Sequence, residues 1–427
     1  MKPVIVVGFV GVTIGLLAEF QPDDSVIYVE EPDVIRKRHV REQIEGVGFV
    51  RGLIEWEYLI PGKADEFFHT HRDLDPAAVV PAIEYATPFA ARLAERYGLP
   101  GATLGAAEIM RDKALLRQVT AAAGIRNPAS VRVTRPADVL EFMEGRSTLL
   151  PPSDREACTP CRSIVLKPSN RQASVGTQVI HDPYDIEAAW AHCTQQDEGI
   201  FVPDRPMALS MLAEEFVSGD EFSVEMLVRN GKPLFANVTG KQLVEGTRPV
   251  ELAHIVPADI PSELDDLLKQ QTARVIDATG FRDGIVHCEW IVADDVPHLV
   301  ECAGRLAGDG ILDVIQLAYP VELLRCYYAV LKGEDLPSEM PARAKSGAAV
   351  RFLTIEPGVV ESVEGVAEAR QLDGVHLLQV TVSPGEKFDG LRSSWDRAGI
   401  VMATGDTSAD ALRRAENAAE AVRIEIR

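Results

Sequence analysis

The chain has 427 residues, of which 46% are hydrophobic and 25% are charged, a composition typical of globular proteins rather than of disordered or collagen-like chains. Its 43 basic and 65 acidic residues give a formal net charge of −22 at pH 7. Because this charge repels nucleic-acid backbones and anionic lipid headgroups, neither nucleic acid nor a membrane is expected as a partner.

At roughly 100–200 residues per domain, the length predicts two to four domains. The six cysteines are scattered along the chain, which argues against a disulfide framework and favours the reducing cytoplasm as the location. Cys158 and Cys161 form a C-x-x-C without a second pair or a histidine cluster, so we interpret it as part of a loop, with a redox role as the alternative. After the N-terminus no unbroken apolar run of about eighteen residues occurs, so no membrane span is expected.

The N-terminal region, residues 1–105, is predicted to form an α/β domain. Its first apolar run has the hydropathy of a signal peptide, but it divides into a strand from Val4 to Phe9, a glycine turn and a helix-like part. Such a strand, turn and helix open many α/β domains. A second strand is predicted from Ser25 to Val29, and the apolar spacing predicts a helix over Pro76 to Tyr97.

Gly8, Gly11 and Gly15 form a loose glycine motif after the first strand. A dinucleotide site prefers G-x-G-x-x-G at this place, so that the backbone can approach the pyrophosphate. The different spacing favours a structural turn, and NAD binding is kept as an alternative that depends on these glycines alone.

The remaining chain alternates strands and helices. A helix is predicted from Ala106 to Ala123, and the region 130–212 carries a polar, proline-rich loop at Leu150 to Arg162. Strands, a hairpin and helices follow over 213–330. Residues 346–427 are predicted to form a compact α/β unit with strands Ala348 to Ile355 and Val375 to Val382 and a final helix capped by Asp406, Thr407 and Ser408.

Two lysines and a small loop are candidates for phosphate binding. Lys167 ends an apolar strand, a position that favours a charge aimed at a ligand over a lysine that extends to solvent. Lys113, near a helix start, would alone be an ordinary surface lysine. The loop Ala173 to Thr177 has small residues whose amides, with the hydroxyls of Ser174 and Thr177, suit phosphate oxygens, although many hairpins look similar.

Acidic residues mark two further segments. Glu214 and Glu221 lie on strands that flank a Ser-Gly turn, where they could accept hydrogen bonds from an amino group and from ribose hydroxyls, or simply form an acidic edge strand. Glu289 and Glu301 lie on two predicted strands joined by Asp294 to Pro297, so a hairpin can place them on one face. Because buried carboxylates are costly unless paired, this pair predicts a Mg²⁺ site, with acid–base catalysis as the competing function.

In this order and spacing, these motifs resemble the ATP-grasp superfamily over nearly the whole chain. The segments Arg111 to Lys113 and Glu301 to Gly308 are most similar to L-amino acid ligases. The resemblance implies an α/β (α+β) fold with an N-terminal Rossmann-like pre-ATP-grasp domain (1–105), an ATP-grasp domain (106–345, with a lid over about 130–212) and a C-terminal α/β domain (346–427).

The resemblance also implies residue roles. Lys113 and Lys167 would hold the α- and β-phosphates, Lys241 would touch the γ-phosphate, and Glu289 and Glu301 would bind Mg²⁺, or Mn²⁺ in its place. The residues expected to bind other parts of ATP are Ser174, Gly176 and Thr177 as the mobile phosphate lid, Glu214, Glu215 and Val217 at adenine, and Glu221 at ribose.

Further roles concern the substrates. The expected substrate residues are Glu251, His254, Arg305, Gly308 and Asp309. Arg305 would stabilise the acyl phosphate and the tetrahedral intermediate, and His254 would orient the incoming groups or accept a proton. Glu251 would pair with a substrate ammonium, and Asp309 would favour a cationic or polar amine. Many ATP-grasp enzymes have an asparagine metal ligand at the position of Ala303. The L-amino acid ligases lack this asparagine too, so the difference is taken as a feature of that subgroup.

The implied reaction joins an amino acid or related carboxylate to an amine through an acyl phosphate, with ADP and phosphate as products. Its partners would be small-molecule amino acids and amines, and ligases of this type are often homodimers. The alternatives are a biotin-carboxylase-like or purine-pathway ligase, which would lack the Cys302-Ala303 sequence and the Glu251–His254 pair, and a non-catalytic nucleotide-binding regulator.

Overall fold

The computed structural model describes residues 1–146, 161–195, 198–337 and 339–427, a mixed α/β structure with four sheets within these ranges. Most of the loop predicted over Leu150 to Arg162 lies outside the described residues, and so does Cys158. None of the described helices is both long enough and apolar enough to cross a membrane.

The N-terminal part is a parallel four-stranded sheet in the order β3-β2-β1-β4. Its strands are β1 (Val4–Val7), β2 (Val26–Glu30), β3 (Val50–Glu55) and β4 (Ala78–Pro81), and its helices are α1 (Ile14–Ala18), α2 (Pro32–Lys37), α3 (Val40–Ile44), α4 (Lys63–Thr70) and α5 (Thr87–Tyr97). Every residue of β1 and β2 is buried, as expected for the valine- and isoleucine-rich strands of a parallel sheet covered on both faces.

The helix predicted over Pro76 to Tyr97 is wrong in its first half. Residues Ala78–Pro81 are β4, which pairs with β1, and the helix begins only at Thr87. A short apolar run that is buried on both faces carries no period that distinguishes a strand from a helix, which explains the error.

The helix predicted from Ala106 to Ala123 is two helices, α6 (Leu104–Arg111) and α7 (Lys113–Ala122). They separate at Asp112, which has extended backbone angles and whose carboxylate accepts hydrogen bonds from the amides of Ala114 at 2.9 Å and Leu115 at 3.3 Å. Asp112 is therefore an N-cap, and it makes Lys113 the first residue of α7.

An antiparallel sheet in the order β5-β8-β6-β7 forms the region predicted as the lid. Its strands are β5 (Ser130–Val133), β6 (Ile164–Pro168), β7 (Gln178–Ile180) and β8 (Met211–Glu215), and the helices α8 (Pro136–Met143) and α9 (Ile186–Gln195) pack on it. The strand that carries Lys167 is thus flanked by β7 and by β8, which carries Glu214.

The largest sheet has eight strands in the order β13-β12-β9-β10-β11-β14-β18-β16. Its strands are β9 (Asp220–Arg229), β10 (Lys232–Leu243), β11 (Glu251–Val256), β12 (Gly284–Ala293), β13 (Val296–Ala303), β14 (Gly347–Leu353), β16 (Val375–Val380) and β18 (Gly399–Gly405). The helices in this part are α10 (Ser262–Thr279), α11 (Ile311–Ala318), α12 (Leu323–Lys332), α13 (Val366–Ala369) and α14 (Ser408–Ala421).

The C-terminal unit continues this sheet, because β14 pairs with β11. A small sheet of β17 (Lys387–Phe388), β15 (Gly358–Glu364) and β19 (Arg423–Ile426) completes the fold. The predicted C-terminal strands and helix are confirmed to within two residues, and Thr407 caps α14 by accepting a hydrogen bond from the amide of Asp410. The proposed domain boundaries stay predictions.

Candidate active site

A cavity of about 990 Å³ lies where the N-terminal sheet, the lid sheet and the eight-stranded sheet meet. All but one of the residues predicted to form the site line it, and Gly176 is the exception. Those lining it are Lys113, Lys167, Ser174, Thr177, Glu214, Glu215, Val217, Glu221, Lys241, Glu251, His254, Glu289, Glu301, Arg305, Gly308 and Asp309.

The two carboxylates predicted to bind metal are register partners on β12 and β13. Glu289 pairs with Lys241, and an oxygen of Glu301 lies 2.7 Å from Nζ of Lys113. Although burial favours the neutral acid, Lys241 and His287 hold the pKa of Glu289 well below its usual value. The hairpin predicted from the sequence is therefore confirmed, and it places two anionic side chains side by side.

Glu289 belongs to a network of buried polar side chains that the sequence analysis did not predict. His287 lies between two carboxylates, with Nδ1 2.9 Å from Glu225 and Nε2 3.1 Å from Glu289. The hydroxyls of Ser223 and Thr239 also donate to Glu225, at 2.7 and 2.6 Å. Burial alone would lower the pKa of His287, but hydrogen bonds to both carboxylates raise it to about 9. The network fixes the orientation of the Glu289 side chain.

This donor set fits a hard divalent cation that arrives with phosphate. Within the described ranges no group of three or more His, Cys, Asp or Glu side chains could hold a metal ion by itself. Mg²⁺ commonly takes only one or two protein carboxylates and fills its remaining positions with phosphate oxygens and water. The adjacent carboxylates of Glu289 and Glu301 match that requirement. Lys241 and Lys113 compensate their negative charges in this structure.

Two buried lysines converge on the cavity, Lys113 from the start of α7 and Lys167 from strand β6 of the lid sheet. The Nζ of Lys113 also donates to the carbonyl of Arg171 at 2.9 Å, and Nζ of Lys167 lies 2.6 Å from Glu214. Burial opposes protonation of Lys113, but the carboxylates of Glu301 and Glu84 outweigh it and raise its pKa. For Lys167, burial together with the nearby cations Arg117 and Lys113 lowers the pKa despite Glu214.

The side chain of Glu214 is committed to the protein. Its two oxygens lie 2.9 Å from Nε of Arg117 and 2.6 Å from Nζ of Lys167, and the residue is 2% exposed. The backbone N–H of the next residue, Glu215, donates to the carbonyl oxygen of Ala129. The backbone of Val217 makes no hydrogen bond to another described backbone group. Of the groups predicted to read adenine, the backbone of Val217 is the one that stays available.

The loop predicted as the phosphate lid has the backbone geometry of an anion-binding turn. Ala173, Ser174 and Gly176 all have positive φ, at 55°, 56° and 69°. Such conformations turn successive amide groups toward one side of the chain. A Cβ on Gly176 would lie 2.7 Å from the carbonyl oxygen of Cys193, so glycine is required there for packing rather than for lining the cavity.

Glu84 is a further residue that the sequence did not reveal. It is 4% exposed, and its oxygens lie 2.6 Å from Arg111 and 3.1 Å from Arg305. Burial would raise the pKa of Glu84, but Arg111, Arg305 and Lys113 outweigh it and lower the pKa to about 2. An acid from the N-terminal part thus holds Arg305, the predicted stabiliser of the acyl phosphate, at the cavity wall.

The predicted substrate residues lie together but have partners. Glu251 accepts a hydrogen bond from the hydroxyl of Ser394 at 2.8 Å and lies 3.6 Å from Lys241. The ring nitrogens of His254 are buried without a hydrogen bond, and Nε2 lies 3.7 Å from Asp309.

Asp309 itself is paired. Its carboxylate lies 2.5 Å from Nη2 of Arg397, which belongs to the C-terminal unit and stacks 3.5 Å over the ring of Phe352. Burial would raise the pKa of Asp309, but His254 and Arg397 lower it. The charge of Asp309 is thus compensated inside the protein, which removes the physical basis for the expectation that it favours a cationic amine.

The segment 198–205 joins the lid sheet to the other two parts. Asp204 lies 2.5 Å from Arg36 and 2.6 Å from Lys37, and Arg205 donates to both oxygens of Glu31 at 2.8 Å. Phe201 stacks on Trp395 of the C-terminal unit with ring centroids 4.2 Å apart. We call these contacts the 198–205 clasp, and of the residues named here Phe201 and Trp395 line the cavity.

Two protein-family models match separate segments of the chain. The ATP-grasp domain family matches residues 160–313, and the family described as L-amino acid ligase C-terminal domain 2 matches residues 351–427. The chain contains an ATP-grasp domain and an L-amino acid ligase C-terminal domain. The resemblance inferred from the sequence is thereby confirmed, and so is the ATP-grasp fold.

Among the curated relatives of this chain, alanine–anticapsin ligase of Bacillus subtilis (strain 168) is 25% identical over 338 residues, which cover 75% of the chain. The matched part spans 63% of that relative's length. Carnosine synthase 1 of Homo sapiens is 24% identical over 236 residues, covering 52% of the chain and 28% of the synthase.

Solved structures show the same fold. An L-amino acid ligase from Bacillus licheniformis superposes with a TM-score of 0.78 at 17% identity, covering 100% of the chain and 99% of that protein. The biotin carboxylase domain of 2-oxoglutarate carboxylase from Hydrogenobacter thermophilus, solved as a dimer with MgADP, superposes at 0.66 and 16% identity over 100% of the chain and 91% of that protein. At these identities the likeness concerns the fold alone.

Proposed function

We propose that this chain is an ATP-dependent ligase that forms an amide or peptide bond between an amino acid, or a related carboxylate, and an amine. The observation that carries the proposal is the convergence on one cavity of the register-paired Glu289 and Glu301 with Lys113, Lys167 and Arg305. Paired acids beside several cations suit a triphosphate with its metal, and the ligase relatives favour the reaction class.

The first step transfers a phosphoryl group. A substrate carboxylate oxygen attacks the γ-phosphorus of ATP, the bond to the β,γ-bridging oxygen breaks, and ADP leaves. In such transfers the protein chiefly positions groups and neutralises charge. Lys113 and Lys167, which line the cavity, would hold the inner phosphates, and Lys241 would hold the γ-phosphate. Glu84 pairs with Arg305 at the same cavity.

Glu289 and Glu301 would hold Mg²⁺, with Mn²⁺ as a substitute. The ion supplies charge neutralisation at the phosphate oxygens when it is bound. In the structure each carboxylate already pairs with a lysine, so binding of nucleotide and metal requires Lys113 and Lys241 to exchange carboxylate partners for phosphate. This exchange keeps every buried charge compensated in both states.

In the second step the amine nitrogen attacks the acyl carbon, the carbon–oxygen bond to phosphate breaks, and phosphate leaves. Arg305 stabilises the oxyanion that develops, as preformed donors do. His254 has two buried ring nitrogens without a hydrogen bond, which supports its role as acceptor of the proton lost by the amine. The 198–205 clasp excludes water, which would otherwise hydrolyse the acyl phosphate.

A test of this function is phosphate release from ATP and Mg²⁺ with the twenty amino acids offered singly and in pairs, followed by mass spectrometry of the products. Release that depends on a pair, together with a product whose mass equals the sum of both minus water, is the expected result. Phosphate that is not released with any pair, although nucleotide binds, would contradict the ligase function and favour a nucleotide-binding protein.

We also propose that the protein is a homodimer and is located in the cytoplasm. Light scattering of the purified chain tests the oligomeric state.

A further inference from the structure

The cavity continues past the charged groups into the N-terminal part. There its wall is made by β1 and the residues directly after it, β2, β4, β18, α1 and α12, and its lining includes buried apolar side chains of the main hydrophobic core. We call this part the apolar compartment and define it by Val6, Phe9, Leu17, Val80, Leu324 and Met402. Each of these residues is at most 7% exposed.

Two tyrosines add polar groups to this otherwise apolar wall. Tyr28 on β2 and Tyr328 on α12 both line the cavity, and they are 1% and 3% exposed. The hydroxyl of Tyr28 is buried without any hydrogen-bond partner. The hydroxyl of Tyr328 makes no hydrogen bond to another residue of the described ranges. Burial raises the pKa of both phenols, so they are neutral and able to donate.

The rings are fixed in place. Tyr28 packs edge-on against Phe9 with centroids 5.4 Å apart, and Tyr328 packs edge-on against Phe20 at 5.5 Å. An unpaired phenol in an apolar core is unfavourable, and phenylalanine would pack equally well there. The buried, unpaired hydroxyl of Tyr28 is therefore best explained by a molecule that bonds to it when it fills the compartment, and Tyr328 lines the same cavity.

Two arginines that line the same cavity indicate what kind of molecule this is. Arg38 lines the cavity from the N-terminal part, lying 4.9 Å from the ring centroid of Phe201, and Arg305 lines the cavity as well. A ligand with a carboxylate near these arginines and an apolar chain directed inward matches both regions.

We propose that the apolar compartment takes the side chain of one amino-acid substrate, and that Tyr28 and Tyr328 select a large apolar side chain that ends in a hydrogen-bonding oxygen. This specificity rests on the proposed ligase function, because the compartment is continuous with the cavity that holds the phosphate-binding lysines. A site built to bond a hydroxyl discriminates strongly against the analogue that lacks it, since the polar groups of the site are then left unpaired.

The test uses titration calorimetry of the full chain with two matched ligand pairs, L-tyrosine against L-phenylalanine and 6-hydroxynorleucine against norleucine. The members of each pair differ by one terminal hydroxyl. We expect the hydroxylated member of at least one pair to bind about tenfold more tightly to the unchanged protein. In Tyr28→Phe and Tyr328→Phe that ratio should fall toward one, while the affinity for the member without the hydroxyl stays within about twofold.

Tyr327→Phe is the matched control, because Tyr327 is an equally buried neighbour on α12 that does not line this cavity. Leu324→Trp fills the compartment and should remove binding of both members while ATP binding persists. A ratio near one in the unchanged protein, or a preference that survives both tyrosine substitutions, overturns the specificity proposal.

Phosphate release with amino-acid pairs is measured alongside and separates the two proposals. A binding preference that depends on the tyrosines, without turnover of any pair, would support the proposed specificity of the apolar compartment and contradict the proposed ligase function. Turnover with small or charged amino acids alone, without the binding preference, would support the ligase function and contradict the proposed specificity of the apolar compartment.

Discussion

Glu289 and Glu301 face each other across the β12–β13 hairpin, and each is paired with a different lysine, Lys241 and Lys113. The side chains of Lys113 and Lys241 are 10% and 2% exposed, and each comes from outside the hairpin. Without nucleotide, the lysines compensate the acids that would bind the metal. In the proposed function the same four groups would bind the metal and the triphosphate once the lysines exchange their carboxylate partners for phosphate.

Glu301→Gln should lower phosphate release at least a hundredfold, because the loss of one anionic ligand forfeits several kcal/mol of charge stabilisation. The Mg²⁺ concentration for half-maximal rate should rise at least about tenfold. Steady-state phosphate release against Mg²⁺ concentration measures both. Glu263→Gln, on the exposed first turn of α10, is the control, and an unchanged Mg²⁺ requirement in Glu301→Gln would refute the metal assignment.

Glu214→Gln should destabilise the protein by about 3–5 kcal/mol, because it leaves Arg117 and Lys167 buried without an anion. Its exposed neighbour Glu215 provides the matched control, and Glu215→Gln should stay within about 0.5 kcal/mol. Urea denaturation followed by tryptophan fluorescence compares the three proteins. Equal stability of the two variants would show that the ion-pair cluster is not needed for folding.

Glu221→Gln should stabilise the nucleotide-free protein at pH 8. Burial, together with the carboxylates of Glu289 and Glu251, raises the pKa of Glu221 from 4.5 to about 7 despite Lys241. Since the folded state binds this proton more tightly than the unfolded chain, Glu221 lowers stability progressively as the pH rises from 4.5 to about 7.

The difference in denaturation midpoint between Glu221→Gln and the unchanged protein should therefore be small at pH 4.5, grow up to about pH 7 and then stay constant. Asp220→Asn, at the exposed neighbouring position, should show no such dependence. If Glu221 binds ribose, the same variant should bind ATP less tightly. A difference that shrinks with rising pH would contradict the environment described for this carboxylate.

Arg205→Ala should uncouple ATP hydrolysis from bond formation. Arg205 closes the 198–205 clasp through two hydrogen bonds to Glu31, and a looser clasp admits water to the acyl phosphate. The phosphate released per amide formed should rise from about one to several. Arg41→Ala, which breaks an exposed pair with Glu55 on the N-terminal surface, should leave the ratio at about one. Uncoupling in both variants would mean that the clasp has no specific role.

Much of the charged site was predictable from the sequence because its residues lie on regular strands. The hairpin that joins Glu289 to Glu301 has an alternating pattern and a short turn, so local rules suffice to place the two acids opposite each other. Likewise, Thr407 at the start of α14 is a local capping signal.

Residues that act through distant contacts were missed for the opposite reason. Glu84 meets Arg305 across a separation of 221 positions, and nothing near Glu84 in the sequence indicates this pairing. Arg397 compensates Asp309 from the C-terminal unit, 88 positions away. His287 had a weak local signal, since it lies two positions before Glu289 on the same face of β12. Such partners depend on how the sheets assemble.

The most direct test of the proposed chemistry uses a carboxylate substrate labelled with ¹⁸O in both carboxyl oxygens, with mass analysis of the released phosphate. If an acyl phosphate forms, one labelled oxygen passes to phosphate for each amide made, and the nucleotide product is ADP. Phosphate without label, or AMP and pyrophosphate as products, would contradict the acyl-phosphate ligase.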